Sequence, residues 1–401
     1  MVARYGSITQ ASAELQRAQS AVSRSIKELE ASLGVQLFER NPQGLLLTDF
    51  GRVLLRRSDL AFREMQHAQS QLSQQYAGAR VPKAPIFTLS VHERHLRVLV
   101  ALAHSKRIGT VALALGVSQP AVSMALRDLE ASVGLPLVDR SHAQIRLSAA
   151  GEVLLLHVNR AMTQLRIARE EMAALKGVIQ GHVTVGALPF GRPYMLPVAI
   201  GRLLESHPRL SVSTVEGSLE TLIAGLRSGD IDLVFGALPS VEYHHELVRE
   251  EFFDESMAVM ARAHHPFLRK RSRTLAVALQ EKWVLPRRGT PTRDVLSAAL
   301  TRLGLNEPYV AVESSDLSLI RGLLLETDMI SAASRHLFHH ELNNGMLVEL
   351  PLRLSGTSRS IGILTRTLEH SSPIAQLLIS ELRGVRKPDG KVRETQERSN
   401  R

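Results

Sequence analysis

The sequence contains no cysteine, which excludes a disulfide framework and any thiolate metal site. No stretch approaches the roughly 18 apolar residues of a membrane span. The opening MVARYGSITQ lacks the charged-then-apolar pattern of a secretory signal. A Gly-Lys-Thr phosphate loop, a Ser-His-Asp order and a paired-carboxylate context are also missing. The reading is therefore a non-enzyme without a cofactor, soluble and cytoplasmic, with no membrane partner.

Apolar residues make up 44% of the 401 positions, enough for packed interiors in two or three domains. Net charge is +10 and is unevenly spread. Residues 1–90 and 91–180 each carry 11 Lys+Arg against 7 Asp+Glu, residues 181–384 carry 21 against 22, and residues 385–401 carry 6 against 3. A basic front on a near-neutral body fits phosphate contact by one region and another task for the rest.

The front is a repeat. Of the 41 positions from 15 to 55, 17 are identical to those 100 residues later, among them Gln19, Ala21, Val22, Ser23, Leu29, Glu30, Gly34, Leu37, Arg40, Leu47 and Gly51. Two copies of this length read as a duplicated small domain, since a solenoid needs three or more. In the second copy Leu96–Ala103 is an apolar helix, and Thr110–Leu115 is a short helix ended by Gly116. Ser118 supplies an N-cap oxygen, and Pro120 falls in the first turn, where its missing N–H costs nothing. Val122, Leu126 and Leu129 form an apolar stripe, with Gln119, Ser123 and Arg127 on another face. Helix, glycine turn and second helix make a helix-turn-helix. Leu135–Val138 and Gln144–Leu147 read as a two-stranded wing, and Ser148 caps the next helix. The first copy repeats this with helices at Ile8–Leu15 and Gln19–Leu29, a wing at Leu37–Arg40 and Leu45–Leu47, and Thr48 as cap. The counterpart of Leu96–Ala103 would precede residue 1, so a truncated N-terminus is the expectation.

These residues resemble the LysR-type transcriptional regulators. The second copy carries Ser118-Gln119-Pro120-Ala121-Val122-Ser123, Leu129-Glu130, Gly134, Leu137, Arg140, Leu147-Ser148 and Gly151. The first carries Gln19, Ala21-Val22-Ser23, Leu29-Glu30, Leu33-Gly34-Val35, Leu37-Phe38-Glu39-Arg40, Leu47-Thr48 and Gly51. The usual regulator has one head, and this chain has two. Ala18 and Ser20 replace the family's Ser and Pro in the first, and Val138 and Met124 depart from it in the second. The resemblance implies a regulator that binds double-stranded DNA, responds to a small molecule and forms a homodimer or homotetramer, and it admits RNA polymerase as a partner.

A helix docked in the major groove meets base edges with its N-terminal residues, where Gln can pair with adenine and Ser with either partner. Gln119, Pro120, Ser123, Met124 and Arg127 are the candidates in the second head. Gln19, Ser20, Ser23, Arg24 and Lys27 hold the matching places in the first. Arg140, Arg146 and Arg40 on the wings are phosphate candidates. Solvation of a surface helix is the competing account of each taken singly.

Gly151–Lys176 carries an apolar stripe (Val153, Leu154, Leu156, Val158, Met162, Leu165, Met172, Leu175) that calls for a partner helix, and the resemblance implies dimerisation through it. Arg52–Gln75 is the first head's equivalent. Its glutamines 66, 69, 71, 74 and 75 predict weaker pairing. Ala77–Pro85 reads as a linker and residues 385–401 as a disordered tail.

From Gly181 strand and helix alternate, which means a parallel sheet. Strands are expected at Val183–Gly186, Leu210–Glu216, Ile231–Phe235, Ser256–Ala261, Trp283–Pro286, Tyr309–Val312 and Ser360–Thr365. The fold class is α/β: tandem winged helix-turn-helix domains followed by a sensor that, as the resemblance implies, is two-lobed and periplasmic-binding-protein-like. The expected domains are 1–53, 54–90 (helix and linker), 91–150, 151–177 (dimerisation helix) and 181–384. The chain should cross between lobes near Ala258–Arg262 and return near Ser360–Thr365. Ligands in such sheets sit beyond the carboxyl ends of strands, which selects Leu188, Pro189, Phe190, Gly191, Ser218, Gly236, Gly289, Thr290 and Ser315. Arg192, Arg287, Arg288 and Arg293 favour an anionic effector such as a carboxylate or an acidic sugar derivative. His336, His339, His340 and Glu341 have metal-like proximity, but a solvated helix face is the stronger reading. The alternative to a regulator is a binding-fold protein, or an interaction module whose heads serve dimerisation instead of DNA reading.

Overall fold

The computed structural model describes residues 1–42, 44–76, 78, 93–105, 107–139, 145–239 and 247–385. The linker, the wing turn with Arg140 and the C-terminal tail lie outside the described residues, apart from Gly78. The chain divides into two compact units, one essentially residues 1–181 and the other the remainder, with short exchanges at 227–230 and 372–374.

In the first head, α1 (Val2–Tyr5), α2 (Ile8–Glu14) and α3 (Gln19–Leu33) precede a hairpin of β1 (Phe38–Asn41) and β2 (Gly44–Leu47), and then α4 (Asp49–Gln75). In the second, α5 (Glu93–Ser105), α6 (Ile108–Leu115) and α7 (Gln119–Val133) precede β3 (Val138–Asp139), β4 (Arg146–Leu147) and α8 (Ala149–Leu175). The capping signals act where expected. Gly116 ends α6 at φ 65°, and the Ser118 hydroxyl accepts from Ala121 N at 3.3 Å. Thr48 and Ser148 each accept from the N–H three residues on, both at 3.1 Å.

The shared motif residues lock each wing to its helices. The Glu130 carboxylate accepts Leu137 N at 2.9 Å, as Glu30 accepts Leu37 N at 2.8 Å. Ser148 and Thr48 hydroxyls donate to Pro136 O and Gln36 O, both at 2.7 Å. The heads differ in their cores. Val98, Leu102, Val111, Ala112, Val122, Ala125, Leu126 and Val138 fill the second, but the buried cluster of the first holds just Val2, Ala11 and Val22. Leu129 is 0% exposed in a cluster with Leu96 and Leu99 of α5, whereas Leu29, whose head has the four-residue α1 in the place of α5, is 44% exposed.

Helices α4 and α8 pack on each other within the chain. Ala61, Met65, Ala68 and Leu72 of α4 share one core with Leu154, Val158 and Ala161 of α8 and with Leu96, Leu99, Leu129 and Val133 of the second head. The stripe predicted to need a partner helix therefore has one in the same chain. Gln71, one of the glutamines read as weakening this pairing, meets the His157 ring at 3.2 Å.

The sensor has two lobes. Lobe I is built from β5 (Gly181–Ala187), α9 (Met195–Ser206), β6 (Leu210–Val215), α10 (Leu219–Ser228), β7 (Leu233–Ala237) and β8 (Leu247–Glu255). Lobe II follows with β9 (Met257–Arg262), α11 (Leu275–Ala278), β10 (Lys282–Leu285), α12 (Pro291–Arg302), β11 (Val310–Glu313), α13 (Leu317–Glu326), β12 (Met329–Ser334), α14 (His339–Asn343) and β13 (Leu347–Glu349). The chain returns to lobe I through β14 (Arg359–Arg366) and α15 (Pro373–Val385). Sheet orders are β6-β5-β7-β14-β8 and β11-β10-β12-β9-β13. Neither sheet is purely parallel, because β14 and β9 run antiparallel to both neighbours. In lobe II, alternation along β10 sends Trp283 and Leu285 to one core with Leu296 and Leu300 of α12. It sends Val284 to the opposite core with Ile320 and Leu324 of α13, so both faces are covered.

Two expectations need correction. The chain crosses to lobe II at Ser256, between β8 and β9, ahead of Ala258–Arg262, which already lie inside β9. It returns between β13 and β14, so Ser360–Thr365 already belong to lobe I. Strands β8, β12 and β13 (Leu347–Glu349) were not anticipated. The stretch LVREEFFDE is charged and lacks apolar alternation, and MISAAS is short and small, yet each pairs with a neighbour that supplies the missing context.

Candidate nucleic-acid interface and effector site

Gln119, Pro120, Met124 and Arg127 are exposed along one side of α7, with Ser123 half-buried among them. Gln19, Ser20, Arg24 and Lys27 repeat this on α3 around a half-buried Ser23. Exposed polar N-terminal turns are what major-groove docking requires; α7 is capped by Ser118, whereas α3 begins at Ala18 without a side-chain cap. The two faces are not equivalent. The Gln19 amide donates to Thr9 Oγ1 at 3.0 Å; the matching position beside Gln119 is Gly109, whose hydrogen leaves the amide without that anchor. Arg24 pairs with Glu28 at 3.0 Å, while Met124 in its place carries no charge. Arg40 on β1 and Arg146 on β4 are exposed on the wings, available to phosphate.

The ligand residues chosen from strand ends divide into two groups. Leu188, Phe190, Gly191 and Gly236 are buried. A Cβ on Gly191 would stand 2.4 Å from the Phe235 ring, and one on Gly236, at φ +147°, 2.5 Å from the Leu188 side chain. These glycines permit packing. Pro189 opens the single turn between them. Ser218 caps α10 at Thr221 N, 3.3 Å, and Thr290 donates to Arg287 O at 2.8 Å behind Gly289 at φ +78°. Ser315 is exposed before α13. The Ser218 and Thr290 hydroxyls are therefore already engaged within their own loops.

Three of the four arginines taken to favour an anion are spent internally. Arg192 donates to Ala187 O at 3.0 Å and faces Glu216 at 3.6 Å. Arg288 and Arg293 both bond Glu307, each at 2.8 Å. The histidines near 336 are also engaged. His339 stacks on Tyr194 at 3.7 Å, His336 lies 5.3 Å from Phe190 and 5.6 Å from Phe253, and Glu341 pairs with Arg321 at 2.7 Å.

A cluster at the lobe crossover was missed by sequence reasoning. Buried Glu255, the last residue of β8, accepts a hydrogen bond from Ser334 Oγ at the end of β12. Arg359, the first residue of β14, donates to Thr292 Oγ1 at 3.2 Å and acts electrostatically on Glu255. Burial pushes the Glu255 carboxyl up to about 7, against the Ser334 bond and the Arg359 charge. Burial, with the charges of His339 and Arg335, pushes His336 down to about 4. The available signal was the crossover itself: residues flanking it are forced into the interior between lobes.

The family comparisons agree with this architecture. The model of bacterial regulatory helix-turn-helix proteins of the lysR family matches twice, at residues 1–52 and 93–152. That of the LysR substrate binding domain matches residues 176–387. The chain is 40% identical over 384 residues to the HTH-type transcriptional regulator GalR of Pseudomonas putida, covering 96% of this chain and 94% of that one. An alignment of that length spans both heads. It is 31% identical over 301 residues to the uncharacterised regulator YdcI of Escherichia coli, covering 75% and 98%. Among solved structures, a full-length OxyR variant of Pseudomonas aeruginosa aligns with TM-score 0.57 and 26% identity, covering 73% of this chain and 98% of that one. The LysR-family regulator CbnR shares the fold with TM-score 0.53 and 21% identity, covering 73% and 99%. With two lysR-type heads ahead of a substrate-binding domain, the chain belongs to the LysR family of DNA-binding transcriptional regulators and is not an enzyme.

Proposed function

We propose that this regulator reads base edges with the exposed faces of α7 and α3, and that a small anionic effector bound at the lobe crossover controls it. The reading places the protein in the cytoplasm as a homo-oligomer, with RNA polymerase as a further partner once it is on DNA. The observation that carries the base-reading part is the side of α7 that holds Gln119, Pro120, Met124 and Arg127 in solvent. Selection of bound duplexes from a random pool supplies the operator. On it, Gln119→Ala is expected to relax preference at one base pair by about 5- to 100-fold, the range of a lost bidentate contact. Affinity for unrelated duplex and its steep salt dependence should stay unchanged. Equal weakening on all sequences would show that Gln119 does not read bases.

The anionic preference rests on Arg359. Its half-buried side chain stands opposite Glu255 in the β8–β14 register, and burial raises that carboxyl to about 7, so the site carries a cation that is only partly neutralised. With a panel of small carboxylates and sugar acids in calorimetry, Arg359→Leu is expected to weaken effector binding about 10- to 100-fold, as loss of a charge-assisted hydrogen bond does. Arg359→Lys should recover part of it, and operator affinity without effector should not move. Undiminished effector binding by Arg359→Leu would remove Arg359 from the site.

A further inference from the structure

The contacts between α4 and α8 obey the 100-residue repeat. Arg57 Nη1 donates to Gln164 Oε1 at 2.9 Å, and Arg57 also bonds Glu171 through Nη2 at 2.6 Å. Exchanging the copies turns these pairs into 157–64 and 157–71. Both exist: the His157 ring meets Glu64 at 2.8 Å and Gln71 at 3.2 Å. The pairing is antiparallel, since residues later on α4 meet residues earlier on α8. Ala61 and Ala68 on α4 and their mates Ala161 and Ala168 on α8 are all buried. A contact set that survives exchange of the two partners is the signature of an isologous two-fold interface. This interface joins two parts of one chain.

Each long helix also serves the opposite head. Leu72 at the end of α4 is buried in the core that holds Leu96, Leu99 and Leu129 of the second head. Lys176, following α8, donates to Gly34 O, the residue that ends the first head's α3, at 3.0 Å. Burial alone would raise the Glu171 carboxyl, but hydrogen bonds and charge from Arg57 and Arg56 hold it below its ordinary value, so this end of the seam is ionised at neutral pH.

We infer that the tandem heads form a built-in pseudo-dimer, so that one chain recognises a pair of inverted, unlike half-sites through α4 and α8 paired in cis. The seam side chains would also satisfy like-with-like pairing between two chains, through Arg57 with Glu64 or His157 with Glu171. The tether decides. Only 17 residues separate Gln75 from Glu93, and a short linker gives an effective concentration of about millimolar. Because α3 presents Ser20, Arg24 and Lys27 where α7 presents Pro120, Met124 and Arg127, the paired half-sites differ in sequence. A self-association of two chains brings four heads to DNA in two preassembled pairs.

The half-site part rests on the base-reading proposal; the pairing does not. The cysteine-free chain allows the pairing to be measured without DNA. An Ala68→Cys/Ala161→Cys chain, prepared in light and heavy nitrogen and mixed before oxidation, is expected to close within single chains, giving a fast-running monomer and isotopically unmixed cross-linked peptides. A Gln71→Cys/His157→Cys pair bridged by a flexible bismaleimide gives the same readout if the alanine positions do not close. Mixed-isotope peptides, or failure of both pairs to close intramolecularly, overturn the inference. On duplexes selected by the full chain, Gln119→Ala should relax one half-site and Gln19→Ala only the other. Selection of a perfect palindrome would overturn the unlike-half-site part. Loss of all duplex binding with intact intrachain cross-links would instead refute the base-reading proposal.

Discussion

Gly151→Ala is expected to dismantle the second head's wing and abolish specific DNA binding through that head. A Cβ at Gly151 would stand 2.1 Å from Leu137 O, well inside contact distance. The carbonyl cannot retreat, because it accepts Ser148 N at 2.9 Å while Leu137 N is bonded to Glu130 at 2.9 Å. Nor can α8 move away, since Ala150 and Leu154 on either side are buried in the shared core. Relief of such a clash costs about 3 kcal/mol, comparable with the total stability of a head of this size at about 0.1 kcal/mol per residue. The mutant should lose the operator footprint under the second head and show an early, low-temperature transition in circular dichroism. Gly201→Ala is the control: that helical glycine has nothing within 4 Å of an added Cβ, so it should be neutral or slightly stabilising. Unchanged melting and footprint in Gly151→Ala would mean that the wing does not depend on this contact.

Gly151 also marks where legibility ended. The repeat and the caps were readable because they are local: Gly116 needs a left-handed φ, and Ser118 reaches an N–H three residues on. That Gly151 and Gly51 recur was visible too, but the cause, a carbonyl 14 residues upstream, is tertiary. The recognition faces were legible because a helix of known phase exposes known positions. Sensor electrostatics were not. Arg293 and Arg288 looked available to a ligand until the fold placed Glu307 between them, and Glu255 and Arg359 come together only through the neighbouring strands β8 and β14. The long helices gave their apolar phase but not their partner, since α8 would present the same stripe to a second copy as to α4. Ion pairs and strand neighbours depend on residues distant in sequence, and periodicity carries no information about them.

Glu255→Gln is expected to remove a large part of the sensor's pH dependence. The Glu255 carboxyl is raised on folding from its ordinary 4.5 to about 7, so the folded state favours the protonated form. The associated stability is fully present below pH 4.5 and is lost as pH climbs through about 7. At about 1.4 kcal/mol per pH unit, the span is on the order of 3 kcal/mol. Three groups act on Glu255 besides the Ser334 hydroxyl. Arg359 and Arg335 act by their charge and His336 by its backbone N–H, and all three oppose the larger effect of burial. The Glu255 contribution between pH 5 and 8 is therefore read as the difference between the unsubstituted chain and Glu255→Gln. Trp283, the only tryptophan, is buried in the lobe II core and reports sensor unfolding by fluorescence. The unsubstituted chain should lose several degrees of Tm in that signal between pH 5 and pH 8. Glu255→Gln, which keeps a hydrogen-bond acceptor for Ser334 without a charge to bury, should match it at pH 5 and exceed it at pH 8. Parallel curves for the two proteins would place the carboxyl's titration outside this window. Arg359 would then be fully neutralised at neutral pH, and the case for an anionic effector at the crossover would lose its electrostatic basis.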